Sequence, residues 1–261
     1  MALLEVKDLK VHFKIHNGWV KAVDGVSFTI DSGQTMGLVG ESGCGKTTAA
    51  YAITQLLPPN GYIKGGHIYF KGKDLLKISK RKDGSLDDYN EKIRKIRWTE
   101  ISMIFQGAMN AFNPVFKVGD QIKEAIQLHE DVDDAAAEKR AKELFEFVGI
   151  NADRIDNYPH EFSGGMKQRA MIALALALSP SFIIADEPTT ALDVITQDRI
   201  LVEIKKLQRE WNMAMMIITH DVSVVAEVSD KIGVMYAGMM MEMGGTTQVF
   251  KDTAHPYTAG L

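Results

Sequence analysis

Residues Gly40-Glu41-Ser42-Gly43-Cys44-Gly45-Lys46-Thr47 follow the pattern Gly-x4-Gly-Lys-Thr. Glycines at this spacing let a backbone wrap tightly enough to aim successive N–H groups at phosphate oxygens. Lys46 adds a mobile positive charge suited to β- and γ-phosphates, and the Thr47 hydroxyl is an oxygen donor for Mg²⁺. A second cluster, Phe182-Ile183-Ile184-Ala185-Asp186-Glu187-Pro188, is an apolar run ending in two carboxylates. Successive side chains of a strand point to opposite sides. Asp186 is therefore expected to hold hydrated Mg²⁺ while Glu187 reaches the water that attacks a γ-phosphate. The loop, between a buried strand and a helix, predicts a nucleoside triphosphate site; the carboxylate run is weak alone and strong when paired with it. Cys44 lies inside the loop, where a helix N-terminus should raise thiol acidity. It is expected to react with a maleimide and to be protected by Mg-ATP.

Those residues need particular elements to hold them. Thr35–Val39 and residues 182–185 are short apolar runs without alternation, as in strands buried on both faces at the centre of a parallel sheet. Residues 215–219 and Lys231–Tyr236 read similarly. The first thirty residues read as strands, with alternation over 20–30 broken at Asp24-Gly25, and residues 62–70 extend that layer. A helix is predicted over 46–57, stopped by Pro58-Pro59. Another spans 134–148 with Ala137, Ala141, Leu144, Phe145 and Val148 on one stripe, and Gly149 after it. A third spans 164–178 and ends at Ser179-Pro180.

The composition narrows the field further. At 261 residues the chain suits one large domain or two small lobes. Apolar residues at 46% and charged residues at 25% exclude a disordered or fibrous chain. Thirty Lys+Arg against 34 Asp+Glu leave no global basic field to draw in nucleic acid. Apolar runs such as 171–178 fall short of the roughly 18–20 residues that span a bilayer. Residues 1–10 carry Glu5, Lys7 and Asp8 where a signal peptide needs an apolar stretch. The single cysteine, Cys44, excludes an internal disulfide and a multi-thiolate metal site. A soluble, cytosolic α/β protein is expected. Residues 71–97 are rich in Lys and Arg and read either as a solvated face or as a contact to an acidic partner or lipid headgroups. Met239-Met240-Met241 and Met243 read as apolar filling of a strand and turn.

With these parts in order, the chain resembles the ATP-binding cassette (ABC) family. Gln106, after the strand-like 101–105, is similar to the family's Gln loop, which touches Mg²⁺ or water and the membrane subunits. Phe162-Ser163-Gly164-Gly165-Met166-Lys167-Gln168-Arg169 resembles the signature motif, with Phe162 in place of the usual Leu and Met166 in place of the usual Gln. Ser163 is a good N-cap and Gly164-Gly165 opens a helix whose N-terminus could receive phosphate. Ala191-Leu192-Asp193 matches the D-loop, and His220, after Ile217-Ile218-Thr219, the switch histidine. Phe13 stands where the family often stacks an aromatic ring on adenine, with Trp19 the competing stacker.

The resemblance implies a P-loop NTPase core with a mostly parallel central sheet, an N-terminal antiparallel β layer and a helical subdomain. The expected organisation is a nucleotide-binding core over 1–106, the helical subdomain over 107–178 and the rest of the core over 179–261. It implies ATP and Mg²⁺ as cofactors. Catalysis would fall to Glu187, His220, Lys46 and Gln106, and metal binding to Thr47, Gln106 and Asp186. Nucleotide contacts would come from Phe13, Gly40, Ser42, Gly43, Cys44, Gly45, Lys46, Thr47, Thr48, Ser163, Gly164, Gly165 and Asp193. Ala22-Val23-Asp24-Gly25-Val26-Ser27-Phe28, Asn113-Pro114 and His255-Pro256-Tyr257-Thr258 resemble the ATP-binding subunits of dipeptide, oligopeptide and nickel importers, with oligosaccharide importers related. Implied partners are transmembrane permease subunits, a second ATP-binding subunit (identical or paralogous) in a head-to-tail dimer and, indirectly, an extracytoplasmic solute-binding protein, at the cytoplasmic face of the membrane. Some members of that group carry an iron–sulfur cluster in a tail after His-Pro-Tyr-Thr. With one Cys and Leu261 as the last residue, a shortened chain or tail-less variant without a cluster is expected. Two rival readings are a cassette ATPase acting on nucleic acid or ribosomes and a regulatory module that binds ATP without cleaving it.

Overall fold

In a computed structural model, which describes residues 2–81, 83, 85–87, 90–107, 111–188 and 194–261, the chain begins with β1 (Ala2–Ile15), β2 (Gly18–Asp31) and β3 (Thr35–Val39). It continues with α1 (Lys46–Ile53), β4 (Gly61–Phe70), β5 (Lys73–Asp74), α2 (Leu75–Ser79) and α3 (Glu91–Ile96). Next come β6 (Ile101–Ile104), α4 (Val118–His129), α5 (Asp134–Phe147), α6 (Gly164–Leu176), β7 (Phe182–Asp186) and α7 (Val194–Glu210). The last elements are β8 (Ala214–Ile218), α8 (Val222–Val228), β9 (Lys231–Tyr236), β10 (Met239–Gly245), α9 (Thr246–Lys251) and α10 (Pro256–Gly260). Two compact units form, one from residues 1–97 and 214–261, the other from 98–213.

The first unit contains an antiparallel sheet in the order β2-β1-β4-β5. Its buried face carries Leu4, Leu9, Ile30, Ile63 and Ile68, as period-two alternation requires of a half-buried sheet. The Asp24-Gly25 break does not end a strand. Leu9 pairs with Val26 but Lys10 with Asp24, which leaves Gly25 as an extra residue at φ +87°. That is a β-bulge within one long strand, and glycine supplies the backbone angle it needs.

The same unit holds β3 flanked by β8 and β9 in parallel, with β10 antiparallel at the edge. Every residue of β3 and β8 is buried, the signature of strands covered on both faces. The methionine run forms β10, with the Met240 side chain packed near Gly233. Helix α1 is shorter than the 46–57 expected. It stops at Ile53, and Gln55 turns left-handed at φ +60°. Arg97 closes this end, its guanidinium donating to the Thr54 carbonyl at 2.9 Å and to the Gln55 carbonyl, which satisfies acceptors a helix terminus leaves over. The basic stretch 71–97 thus includes a structural cap, and Arg81 pairs with Asp87 at 3.1 Å.

In the second unit β6 and β7 lie parallel. Asp133 caps α5, accepting from the Ala136 N–H at 2.8 Å, and Gly149 at φ +71° follows its end. The predicted stripe of Ala137, Ala141, Leu144, Phe145 and Val148 is buried throughout. Helix α4, unforeseen in the sequence, buries Val118, Ile122, Ala125 and Ile126. Among the described residues no helix is long and apolar enough to cross a membrane.

Close packing at Gly37 sets how β3 enters the phosphate loop. A Cβ at this position would run into the Val225 Cγ1 of α8 and the Ser229 hydroxyl. Gly37→Ala is expected to cost about 1–3 kcal/mol through overpacking, read as a lower urea midpoint at an unchanged m-value.

Candidate functional site

Buried strand β3 delivers its chain directly into Gly40. Gly40 sits at φ +143° and Gly45 at φ +105°. A Cβ at the first would strike the Met235 carbonyl oxygen at the end of β9, and one at the second the Ala22 carbonyl of β2. Neither position accommodates another residue. Gly43, at φ +79°, has open space where a Cβ would stand, so its glycine answers to backbone conformation alone.

Inside this curl Lys46 is buried. Its ammonium donates to the carbonyls of Gly40 and Glu41, both at 2.8 Å, and contacts the Cys44 Sγ at 3.5 Å. Those acceptors offset the cost of taking a cation out of water. Gly45 is the N-cap of α1 and no side chain caps the helix. The first-turn N–H groups therefore face outward from the positive end of the helix dipole. Ser42 is exposed, and Thr47 and Thr48 are half-buried on the first turn.

Cys44 departs from expectation. Its sulfur is turned inward, buried between Gly40 and the Lys46 ammonium. The thiol is therefore shielded from reagent even without a nucleotide.

In the unit 98–213, register does the positioning. Ile104 of β6 lies beside Ala185 of β7, so Gln106 and Glu187, each two residues further on, leave the sheet side by side. The Gln106 amide donates to the Glu187 Oε2 at 2.8 Å. Glu187 adopts φ +48°, a left-handed conformation that costs a non-glycine residue of order 1–3 kcal/mol and clusters at functional sites. Asp186, one residue earlier, is only 1% exposed.

Ser163 caps α6 as expected, its Oγ accepting from the Met166 N–H at 3.3 Å. Gly164 and Gly165 form the first turn. Phe162 is buried with its ring edge-on to Phe145 at 6.2 Å, an apolar slot that takes an aromatic ring as readily as leucine. The motifs do not mark Gln168, which supports the carboxylate turn. It is buried, and its side-chain amide donates to the Pro188 carbonyl at 2.5 Å, tying α6 to the backbone just beyond Glu187. One sequence signal was available: Gln168 lies one turn before Ile172 on the helix's apolar face, where a polar residue needs a partner.

Phe13 is half-buried at the end of β1, opposite Val20 and Gly61. Its ring edge lies over the space where Gly61 lacks a side chain. Trp19 pairs with Lys14 on the opposite face. There it meets Tyr62 edge-on at 5.3 Å and carries the Lys64 ammonium 4.0 Å from its ring centre. The two candidate stackers therefore point to opposite sides of the sheet, and only Phe13 shares the face of Val11. His220 is exposed just beyond β8. Asp221 caps α8 through the Ser223 and Val224 N–H groups, and the hydrogen bond from the Ser223 hydroxyl holds its carboxyl below the usual range. Asp193 lies outside the described residues. One unit thus holds Phe13, the phosphate loop and His220; the other brings together Gln106, Asp186 and Glu187 and carries Ser163, Gly164 and Gly165.

The ABC transporter family profile matches residues 23–190. The chain belongs to the ABC transporter family. An oligopeptide transport ATP-binding protein (OppD) of Bacillus subtilis is 49% identical over 99% of this chain and 70% of its own length. A dipeptide transport ATP-binding protein (DppD) of the same organism is 45% identical over 99% of this chain and 75% of its own. Among solved structures, a dimeric ATP-binding cassette in a post-hydrolysis state bound to ADP and Pi superposes at TM-score 0.81 and 26% identity, covering 93% of this chain and 98% of that one. The ABC fold is thus shown from both sequence and structure.

The buried thiol gives a direct check on the loop geometry. Maleimide should modify Cys44 in the native ABC chain far more slowly than in the urea-unfolded chain; equal rates, followed by mass spectrometry, would contradict the inward placement.

Proposed function

We propose that this chain is the ATP-hydrolysing subunit of an ABC importer for dipeptides or oligopeptides. The observation that carries the reading is the 45–49% identity to oligopeptide and dipeptide transport ATP-binding proteins across 99% of the chain. That likeness also disfavours a cassette devoted to nucleic acid or ribosomes. The subunit would sit at the cytoplasmic face of the membrane, peripheral to transmembrane permease subunits, with a second ATP-binding subunit in a head-to-tail dimer and an extracytoplasmic solute-binding protein supplying cargo. The dimeric state of a structural neighbour supports the pairing. After Gln106, Val115 and Phe116 are 70% and 55% exposed, apolar surface suited to a helix of a membrane subunit.

ATP is the substrate. Gly40 to Thr48 would cradle its phosphates through backbone N–H groups and the α1 dipole. The Lys46 ammonium, already aligned by two carbonyls, would exchange its weak thiol contact for an oxygen of the β- or γ-phosphate. The Thr47 hydroxyl, the Asp186 carboxylate and the Gln106 amide offer the hard oxygen donors that suit Mg²⁺. When bound, Mg²⁺ supplies charge neutralisation on the β- and γ-phosphates. Glu187, its carboxylate oriented by Gln106, would polarise the attacking water, and His220 would hydrogen-bond the γ-phosphate. Phe13 would stack on adenine. Ser163, Gly164, Gly165 and Asp193 would close on the ATP held by the second subunit, a contact Met166 makes without the amide of the usual Gln. The helical segment 107–178 would carry closure to the permease.

Two measurements test this. Glu187→Gln should keep ATP affinity and lower turnover by about 10²–10⁴-fold; phosphate release at the parental rate would remove Glu187 from its role. In the reconstituted complex, ATPase activity should rise with di- or oligopeptides and not with nickel chelates or oligosaccharides. Stimulation by either of the latter alone would reassign the cargo.

A further inference from the structure

The His255-Pro256-Tyr257-Thr258 segment has no part in the chemistry above, yet one of its atoms touches the phosphate loop. The Glu41 N–H donates to the Tyr257 Oη at 3.3 Å, across 216 positions of sequence. That N–H belongs to the same peptide unit as the Gly40 carbonyl, which accepts from the Lys46 ammonium at 2.8 Å. In a trans peptide the N–H and C=O leave opposite edges of one plane. Lys46 therefore holds one edge and Tyr257 the other. This plane follows a glycine at φ +143°, where the absence of a Cβ makes rotation easy. Hydrogen bonds on both edges oppose that rotation and polarise one another.

Several contacts aim the tyrosine. The Glu242 carboxylate on β10 accepts from the Ala254 N–H at 2.8 Å and the His255 N–H at 3.1 Å. His255 Nδ1 accepts from the Tyr257 N–H at 3.1 Å and starts α10. The Tyr257 ring lies 4.7 Å from the Tyr236 ring, tilted by 48°, and packs on the cluster of Val39, Val225, Ile232, Val234 and Val249. Tyr236 directly follows Met235, whose carbonyl already confines Gly40. Burial pushes the Tyr257 hydroxyl above its ordinary pKa, so it stays neutral.

We propose that residues 255–258 form a positioning strap for the phosphate loop, with Tyr257 fixing the Gly40–Glu41 peptide and through it the seat of Lys46. The consequence for nucleotide rests on the proposed ATP site. Tyr257→Phe deletes one oxygen and keeps the ring. It should raise the Kd and KM for Mg-ATP by about 2–10-fold, the worth of one hydrogen bond, with kcat and the melting temperature nearly unchanged. Tyr236→Phe, the other ring of the pair, should leave affinity as it was. Amide hydrogen exchange at Glu41 in nucleotide-free protein should accelerate in Tyr257→Phe, a readout that does not depend on ATP binding. Unchanged exchange at Glu41, or an unchanged affinity in a chain whose parent binds ATP, overturns the strap, as does an equal loss of affinity in Tyr236→Phe. A parent chain that binds no ATP refutes the proposed function instead, and the exchange rate then decides the strap.

Discussion

A lysine ammonium turned back onto the carbonyls of its own loop is the interaction on which the phosphate-loop unit depends. Burying Lys46 is costly unless acceptors meet it, and Gly40 and Glu41 supply them only if the chain curls tightly. The curl forces positive φ at Gly40, Gly43 and Gly45. Carbonyl oxygens of Met235 and Ala22, from β9 and β2, then press against two of those glycines. Charge, loop and both sheets of that unit form one linked constraint. The same curl encloses the Cys44 thiol, 3.5 Å from the Lys46 ammonium.

The other unit solves a different problem, the placement of two acidic residues at the end of a buried strand. Parallel pairing of β6 with β7 brings Gln106 beside Glu187 without any long-range search. Glu187 nonetheless takes a left-handed backbone, and the carbonyl of Pro188, the following residue, is held by Gln168 from within α6. A strained residue bracketed by two amide side chains is held more firmly than strand geometry alone provides. Gln168 belongs to the same segment as the N-cap Ser163, so the helix that opens with two glycines also steadies the carboxylate turn.

Departures from the family pattern have plain physical readings. Phe162 fills an apolar slot against Phe145, where size and hydrophobicity matter more than branching. The basic stretch 71–97 spends Arg97 on the spent end of α1, a structural use that its charge alone did not reveal. Arg169 does the same for α5, donating to the Gly149 carbonyl at 2.6 Å. Cations near helix C-termini satisfy carbonyls and oppose the negative dipole end.

Much of this chain was legible from local pattern. The doubly buried strands Thr35–Val39 and Phe182–Asp186, the α5 stripe and the Ser163 cap each depend on neighbours within a few residues, where periodicity and capping rules act. The phosphate loop was readable for the same reason: its glycines, lysine and helix start are contiguous. Contacts that join distant segments were not readable. That Phe13 and Trp19 lie on opposite faces of β1 and β2 shows only in the strand pairing. The bulge at Gly25 looked like a break because register belongs to the partner strand. The early end of α1 depended on Arg97, the Gln168 bond on a backbone turn twenty residues away, and the Glu41–Tyr257 bond on a segment near Leu261. Sequence alone determined which residues could do chemistry. Only the tertiary structure decided which backbone groups hold them, because a hydrogen bond between remote segments leaves no periodic trace in either.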